Sequence, residues 1–298
     1  MTMPTELIQT LRMNPYGYLP TKYVCILFVV LFAISTVIHL GQAIRYRLWW
    51  LLPTACLCGA LEIVGWIGRA WSSRSPLKFP PYEMQIICTI MGPTPLAAAN
   101  FIILGYIITR LGSQYSRLSA RTYAILFLCC DFISLVIQGI GGGMAARAVA
   151  KHINPEKGGH VMLAGIIFQL ITITVYAFCA GEFVFRYARS KPISASPAVA
   201  KQERPILTQR MKILLYALAL STTLLLIRAV YRVCELADGW TGRIIHTQVY
   251  FNVLDGAAIV LAMYTLNFVH PGMFLELRSS RRSEKIEMES ELDAGEKV

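Results

Sequence analysis

The stretch "LLIRAVYRVCEL", residues 225–236, decides how this chain is read. It lies in one of the most apolar parts of the sequence, yet it carries Arg228, Arg232 and Glu235. Composition selects the environment. Of 298 residues, 55% are hydrophobic and only 15% are charged, with a mean hydropathy of +0.53. Soluble domains carry about a quarter charged residues. The chain therefore reads as an integral membrane protein, and the three charges must be explained at membrane depth.

A membrane-crossing helix needs about 20 mostly apolar residues. Seven segments qualify, at roughly 22–44, 49–69, 84–109, 122–143, 161–185, 212–236 and 246–269. The expected fold is an all-α integral membrane protein, a seven-transmembrane-helix bundle over 22–272. Loop charge sets the orientation. One set of loops holds twelve Lys and Arg, from Arg45 and Arg47 through Arg110, Arg117 and Arg121 to the 186–212 loop. The opposite set, which includes Arg69, Arg147 and Arg243, holds seven. The positive-inside rule makes the richer set cytoplasmic. Residues 1–21 are then an extracellular N-terminal segment. The tail 273–298 is cytoplasmic and, with five basic and seven acidic residues and no apolar period, disordered.

Several classes of chemistry are excluded. The net charge of +11 is spread over loops, which argues against nucleic-acid binding. All eight cysteines fall in apolar spans and none forms C-x-x-C, so they read as small buried hydrophobes. No lysine lies between Lys212 and Lys285, which removes a retinal-type Schiff base. His246 and His270 stand about 36 Å apart along one helix, and only His39 and His270 could meet. That is too few for a zinc site. No P-loop and no G-x-S-x-G occurs. No metal and no cofactor is implied.

The polar residues inside the spans carry the functional signal, because ionisable groups at membrane depth are costly. A rise of about 1.5 Å per residue puts Glu62, Asp131, Arg228 and Asp255 between the midplane and the outer third. Gln138, Gln169 and Asn252 fall in the same layer. Asp131 and Gln138 share a helix face. Arg232 and Glu235 can pair along their helix near the outer interface. Arg228 then needs a partner from another helix, and Asp255 or Glu62 lies at compatible depth. These groups either fix helix register or line a polar cavity for an amphiphile's head group. Three acids, Glu62, Asp131 and Asp255, against the one unpaired arginine would suit a cationic amine. Residues 92–100, "GPTPLAAAN", should kink the third span. The glycines of "QGIGGGM", 138–144, permit close approach or a flexible helix end.

The motifs together resemble a known family. "EIVGWIGR" (62–69) is similar to E-x-x-G-[YW]-x-x-R, and Asp131 with "QGIGGG" (138–143) to D-…-Q-G-x-G-G. Gly165 with Gln169, "IRAVYRVCE" (227–235), Asp255 and "NFVHPG" (267–272) follow in the same order. The pattern resembles the fungal lipid-translocating exporter family, the RTA-like seven-span proteins, over roughly 16–272. The chain departs from it at Gln248, Asn252 and Phe101, where an acid and two tyrosines are usual. The resemblance implies a plasma-membrane or endomembrane protein whose partners are membrane lipids. Its implied substrates are amphiphilic small molecules such as sphingoid bases, phospholipids or lipophilic toxins. Three activities stay open: a translocator, a lipid receptor signalling through the 186–212 loop, and an intramembrane lipid-modifying enzyme.

Overall fold

The computed structural model describes residues 14, 16–151, 153–193, 207–239 and 242–274. The expectations about the first 13 residues, the middle of the 186–212 loop and the tail from 275 lie outside the described residues. Within them the chain is helical with no strand, and seven helices are long and apolar enough to cross a membrane. They are α1 (Lys22–Tyr46), α2 (Trp49–Ser72), α3 (Phe79–Leu111), α4 (Ala120–Ala148), α5 (Glu156–Ala188), α6 (Gln209–Ala237) and α7 (Gln248–Phe274). Helices are forced on such sequences, because hydrocarbon leaves every backbone N–H and C=O to be satisfied within its own segment.

All seven expected spans are present, and most run past the apolar boundaries read from sequence. Two of the ends show how a turn is closed locally. At the start of α6, Thr208 accepts a hydrogen bond from the Met211 N–H. At the end of α1, Arg47 takes a left-handed conformation and its N–H returns to Ala43 and Ile44. Alternation of the chain puts the starts of α1, α3, α5 and α7 and the ends of α2, α4 and α6 at one end of the bundle, termed the upper end.

The centre of the bundle is α3. It divides at Gly92 into Phe79–Met91 and Pro93–Leu111. Pro93 and Pro95 withhold two backbone donors, so the break falls where the sequence places it. Below it, Leu96, Ala99, Ile103, Leu104, Ile107 and Ile108 are fully buried. Two other helices contain a π turn, at Leu52–Cys56 in α2 and at Phe251–Ala257 in α7. Neither was foreseen. The second carries Asp255, and π turns recur at functional sites.

The glycines of α4 do not end that helix, and one of them, Gly141, lets α5 approach it. A Cβ at Gly158 would lie 2.3 Å from the Ala145 nitrogen, and one at Gly141 equally close to the Met162 nitrogen. Such backbone contact drives helix association in lipid. The outward faces are apolar, with Val37, Phe132, Phe178 and Tyr216 each more than 60% exposed. Water would penalise such a surface and a bilayer would not. The cysteines are all free, but only Cys25 and Cys58 are fully buried, while Cys129 and Cys234 sit on the outer surface.

Candidate functional site in the helix bundle

Spacing of four and three residues along α6 aims Arg228, Arg232 and Glu235 at one face, and that face is turned inward. Opposite it, the π turn of α7 presents Asp255. Arg228 Nε lies 2.7 Å from Asp255 Oδ1. Arg232 donates from Nη2 to Asp255 Oδ2 at 2.9 Å and from Nε to Oδ1 at 3.3 Å. Its Nη1 donates to Glu235 Oε2 at 2.7 Å, and Tyr231 donates to the other Glu235 oxygen at 2.7 Å. From α3, Thr89 accepts from Arg232 Nη2 through its hydroxyl and from Arg228 Nη2 through its carbonyl. All four charged side chains are buried.

One expectation about this cluster needs correction. Arg232 and Glu235 do pair, but they are not a self-contained couple at the interface, since Arg232 also grips Asp255 from another helix. The inward turn of the α6 face overrides the snorkelling that sequence position alone suggests. Of the two partners considered for Arg228, Asp255 takes the role. Glu62 forms no ion pair among the described residues. Its Oε1 is buried without a hydrogen bond, packed against Gly92 where α3 breaks.

The other polar residues fall into separate places. Gln138 Nε2 donates to Gln169 Oε1 at 3.2 Å, and Gln169 Nε2 to Thr94 Oγ1 at 2.8 Å, tying α4 and α5 to α3. Both Asp131 oxygens are buried without a hydrogen-bond partner. Nothing described connects Asp131 with the cluster around Asp255. Asn252 Oδ1 is likewise buried and unpartnered. Phe101 packs edge-on against Tyr176 at 4.6 Å, filling the space that a tyrosine would share with a hydroxyl. At the lower end, His39 donates to the Met263 carbonyl and joins α1 to α7. Among the described residues no three metal-ligating side chains converge.

Sequence reasoning counted Arg69 as a loop charge. The structure buries it to 1% exposure. Its guanidinium stands 4.4 Å from the Phe251 ring, which Arg232 approaches at 5.2 Å. Arg69 therefore adds a buried positive charge that the sequence count of acids against one arginine left out, and among the described residues no carboxylate pairs with it. The signal available was the i+3 spacing from Trp66, which keeps Arg69 near that ring. Thr89, which holds both α6 arginines, and Gln85, which accepts from Arg69, gave no signal, because a lone hydroxyl or amide in an apolar span is common. Between α6 and α7 a crevice of about 680 Å³ opens onto the bilayer side. Leu226, Val230, Tyr231 and Cys234 line one wall, and Tyr250 and Leu254 the other.

The site is thus a buried ion-pair cluster beside a mostly apolar crevice, in a bundle of seven helices long and apolar enough to cross a membrane. The chain belongs to the RTA1-like protein family, whose model matches residues 55–278. It is 29% identical to the sphingoid long-chain base transporter RSB1 of Saccharomyces cerevisiae, covering 89% of this chain and 75% of that one. It is 28% identical to Protein RTA1 of the same organism, covering 83% and 81% of the two chains. The lipid-translocating exporter-like protein RTA1 of Leptosphaeria maculans is 25% identical over 87% of this chain and 51% of its own. No solved structure matches.

Proposed function

We propose that this protein translocates amphiphilic lipids across a membrane, with single-chain sphingoid-base-like molecules or phospholipids as substrates. The observation that carries the reading is the shared wall between crevice and cluster. Tyr231 lines the crevice and donates to Glu235, which is bound to Arg232 and through it to Asp255. A lipid in the crevice would keep its tail in the bilayer while its head group meets polar side chains. That division lowers the cost of carrying a polar head through hydrocarbon. The names of the relatives, transporters and exporters of lipids, support the same direction. The head group would meet Glu62, Arg228, Asn252 and Asp255, while Gln138, Gln169 and Asp131 would extend the polar lining on α4 and α5. The chain lies in the plasma membrane with its N-terminus outside, and export of lipophilic toxins is the physiological consequence.

Efflux of labelled sphingoid base from cells with and without the gene tests this. Expression should raise efflux. The double variant Arg228→Gln/Asp255→Asn removes one charge of each sign, so the bundle stays balanced and still reaches the membrane. Its efflux should fall to the level of cells lacking the gene. Wild-type efflux from the double variant would return the pair to a packing role, and equal efflux with and without the gene would sink the proposal.

A further inference from the structure

Arg69 is the buried charge that the cluster around Asp255 leaves uncompensated. Among the described residues no carboxylate pairs with it. Its Nη1 donates to Gln85 Oε1 at 3.3 Å and its Nη2 to the Tyr18 hydroxyl at 2.6 Å, while Nε has no partner. Arg232 supplies the comparison within the same molecule. There the Nε and Nη2 edge grips both oxygens of Asp255. In Arg69 the same edge holds one neutral phenol. The rings of Phe251, Tyr16, Tyr18 and Trp66 surround the guanidinium at 4.4–5.7 Å. Their faces offset part of the charge, but they supply no anion. Burial pushes the Tyr16 phenol up to about 12 and raises that of Tyr18, so both stay neutral near neutral pH.

The space beside Arg69 is a small chamber at the upper end, with a free volume of about 30 Å³. Arg69, Arg232, Tyr16, Tyr18, Tyr82 and Glu235 line it. Glu235 is the one acid on the wall, and Arg232 and Tyr231 already hold it. The volume admits a water or two and no larger anion. A phosphate needs Tyr18 to move aside; Tyr18 stands ahead of α1, on a strap of residues 16–20 that forms no helix. The strap is held at Gly17, φ +67°, under His246, whose Nδ1 donates to the Tyr16 carbonyl at 2.7 Å.

We propose that this chamber is a phosphate site. The Nε and Nη2 edge of Arg69 takes two oxygens of a phosphate ester, and the Tyr18 hydroxyl is the placeholder that the phosphate displaces. The planar fork of arginine matches phosphate geometry in pairs of hydrogen bonds. A guanidinium taken out of water gains most from such a partner. That the phosphate belongs to a lipid head group rests on the translocation reading; the recognition of an oxyanion does not.

The test uses the full chain in phosphate-free maltoside detergent, with thermal stability and tryptophan fluorescence as readouts. Three probes are compared: lysophosphatidic acid, sphinganine and inorganic phosphate. Lysophosphatidic acid should raise the melting temperature, inorganic phosphate should displace it, and any binding of sphinganine, which has no phosphate, should be insensitive to Arg69→Gln. A full stability gain from inorganic phosphate alone would keep the oxyanion site and reject the lipid source. Arg69→Gln should weaken lysophosphatidic acid binding at least tenfold, and Arg69→Lys by less. Tyr18→Phe removes the competing hydroxyl and should tighten binding several-fold. This variant decides the matter if Arg69→Gln does not fold, since unchanged or weaker binding by Tyr18→Phe overturns the proposal. Labelled-lipid flux in proteoliposomes separates the two readings. Flux without phosphate binding refutes the site and spares translocation, and phosphate binding without flux does the reverse.

Discussion

Asp255 accepts two arginines, and that makes it the most consequential single side chain in the bundle. Removing its charge leaves Arg228 and Arg232 with Glu235 alone. Breaking a buried pair by deleting one partner costs about 3–5 kcal/mol. Asp255→Asn should therefore lower the melting temperature of the purified protein sharply. Adding Arg228→Gln to the same chain should recover part of the loss, since the two sites are coupled. Simple additivity in that double-mutant cycle would contradict the contact. Asp131 gives the opposite expectation. Its oxygens bond to nothing described, so Asp131→Asn should change stability by no more than about 1 kcal/mol. A large loss would reveal a partner at that position.

Among the elements, the α4–α5 pair is held by backbone contact and α7 by a π turn. At Gly158 a methyl group would strike the backbone of Ala145. Overpacking of that kind costs about 1–3 kcal/mol. Nothing lies within 4 Å of a Cβ at Gly143, one of the run of glycines on α4. Gly158→Ala should lower the yield of monodisperse protein, while Gly143→Ala should hold or raise it, because alanine is the better helix former by up to about 1 kcal/mol. Equal yields from the two would remove the close approach as the reason for these glycines. The sequence showed the glycines but not which of them face a neighbour. It also gave no warning of the π turn at Phe251–Ala257, which rotates Asp255 relative to a regular helix.

At the scale of the molecule, the burial of Arg69 takes one charge out of the upper loops, leaving six against twelve. This strengthens the bias that places the N-terminus outside. An epitope at the N-terminus should be reached by antibody on intact cells, and one at the C-terminus only after permeabilisation. The reverse staining would invert the proposed direction of the strap and its chamber.

Membrane residence, the number of helices and the break at Gly92 were legible in the sequence. Each follows from local composition: hydropathy over about 20 residues, or prolines that withhold donors. The stretch 225–236 likewise announced that Arg228 needs a partner from another helix. The sequence could not say that Arg232 reaches Asp255, that Glu62 stands unpaired beside Gly92, or that Arg69 is buried among rings. Those are statements about helix rotation and depth relative to neighbours. A one-residue change in rotation turns a helical side chain by about 100°, and no local pattern fixes that angle. Packing fixes it, through the glycine contacts of α4 and α5, the π turn of α7 and the aromatic strap that closes over Arg69.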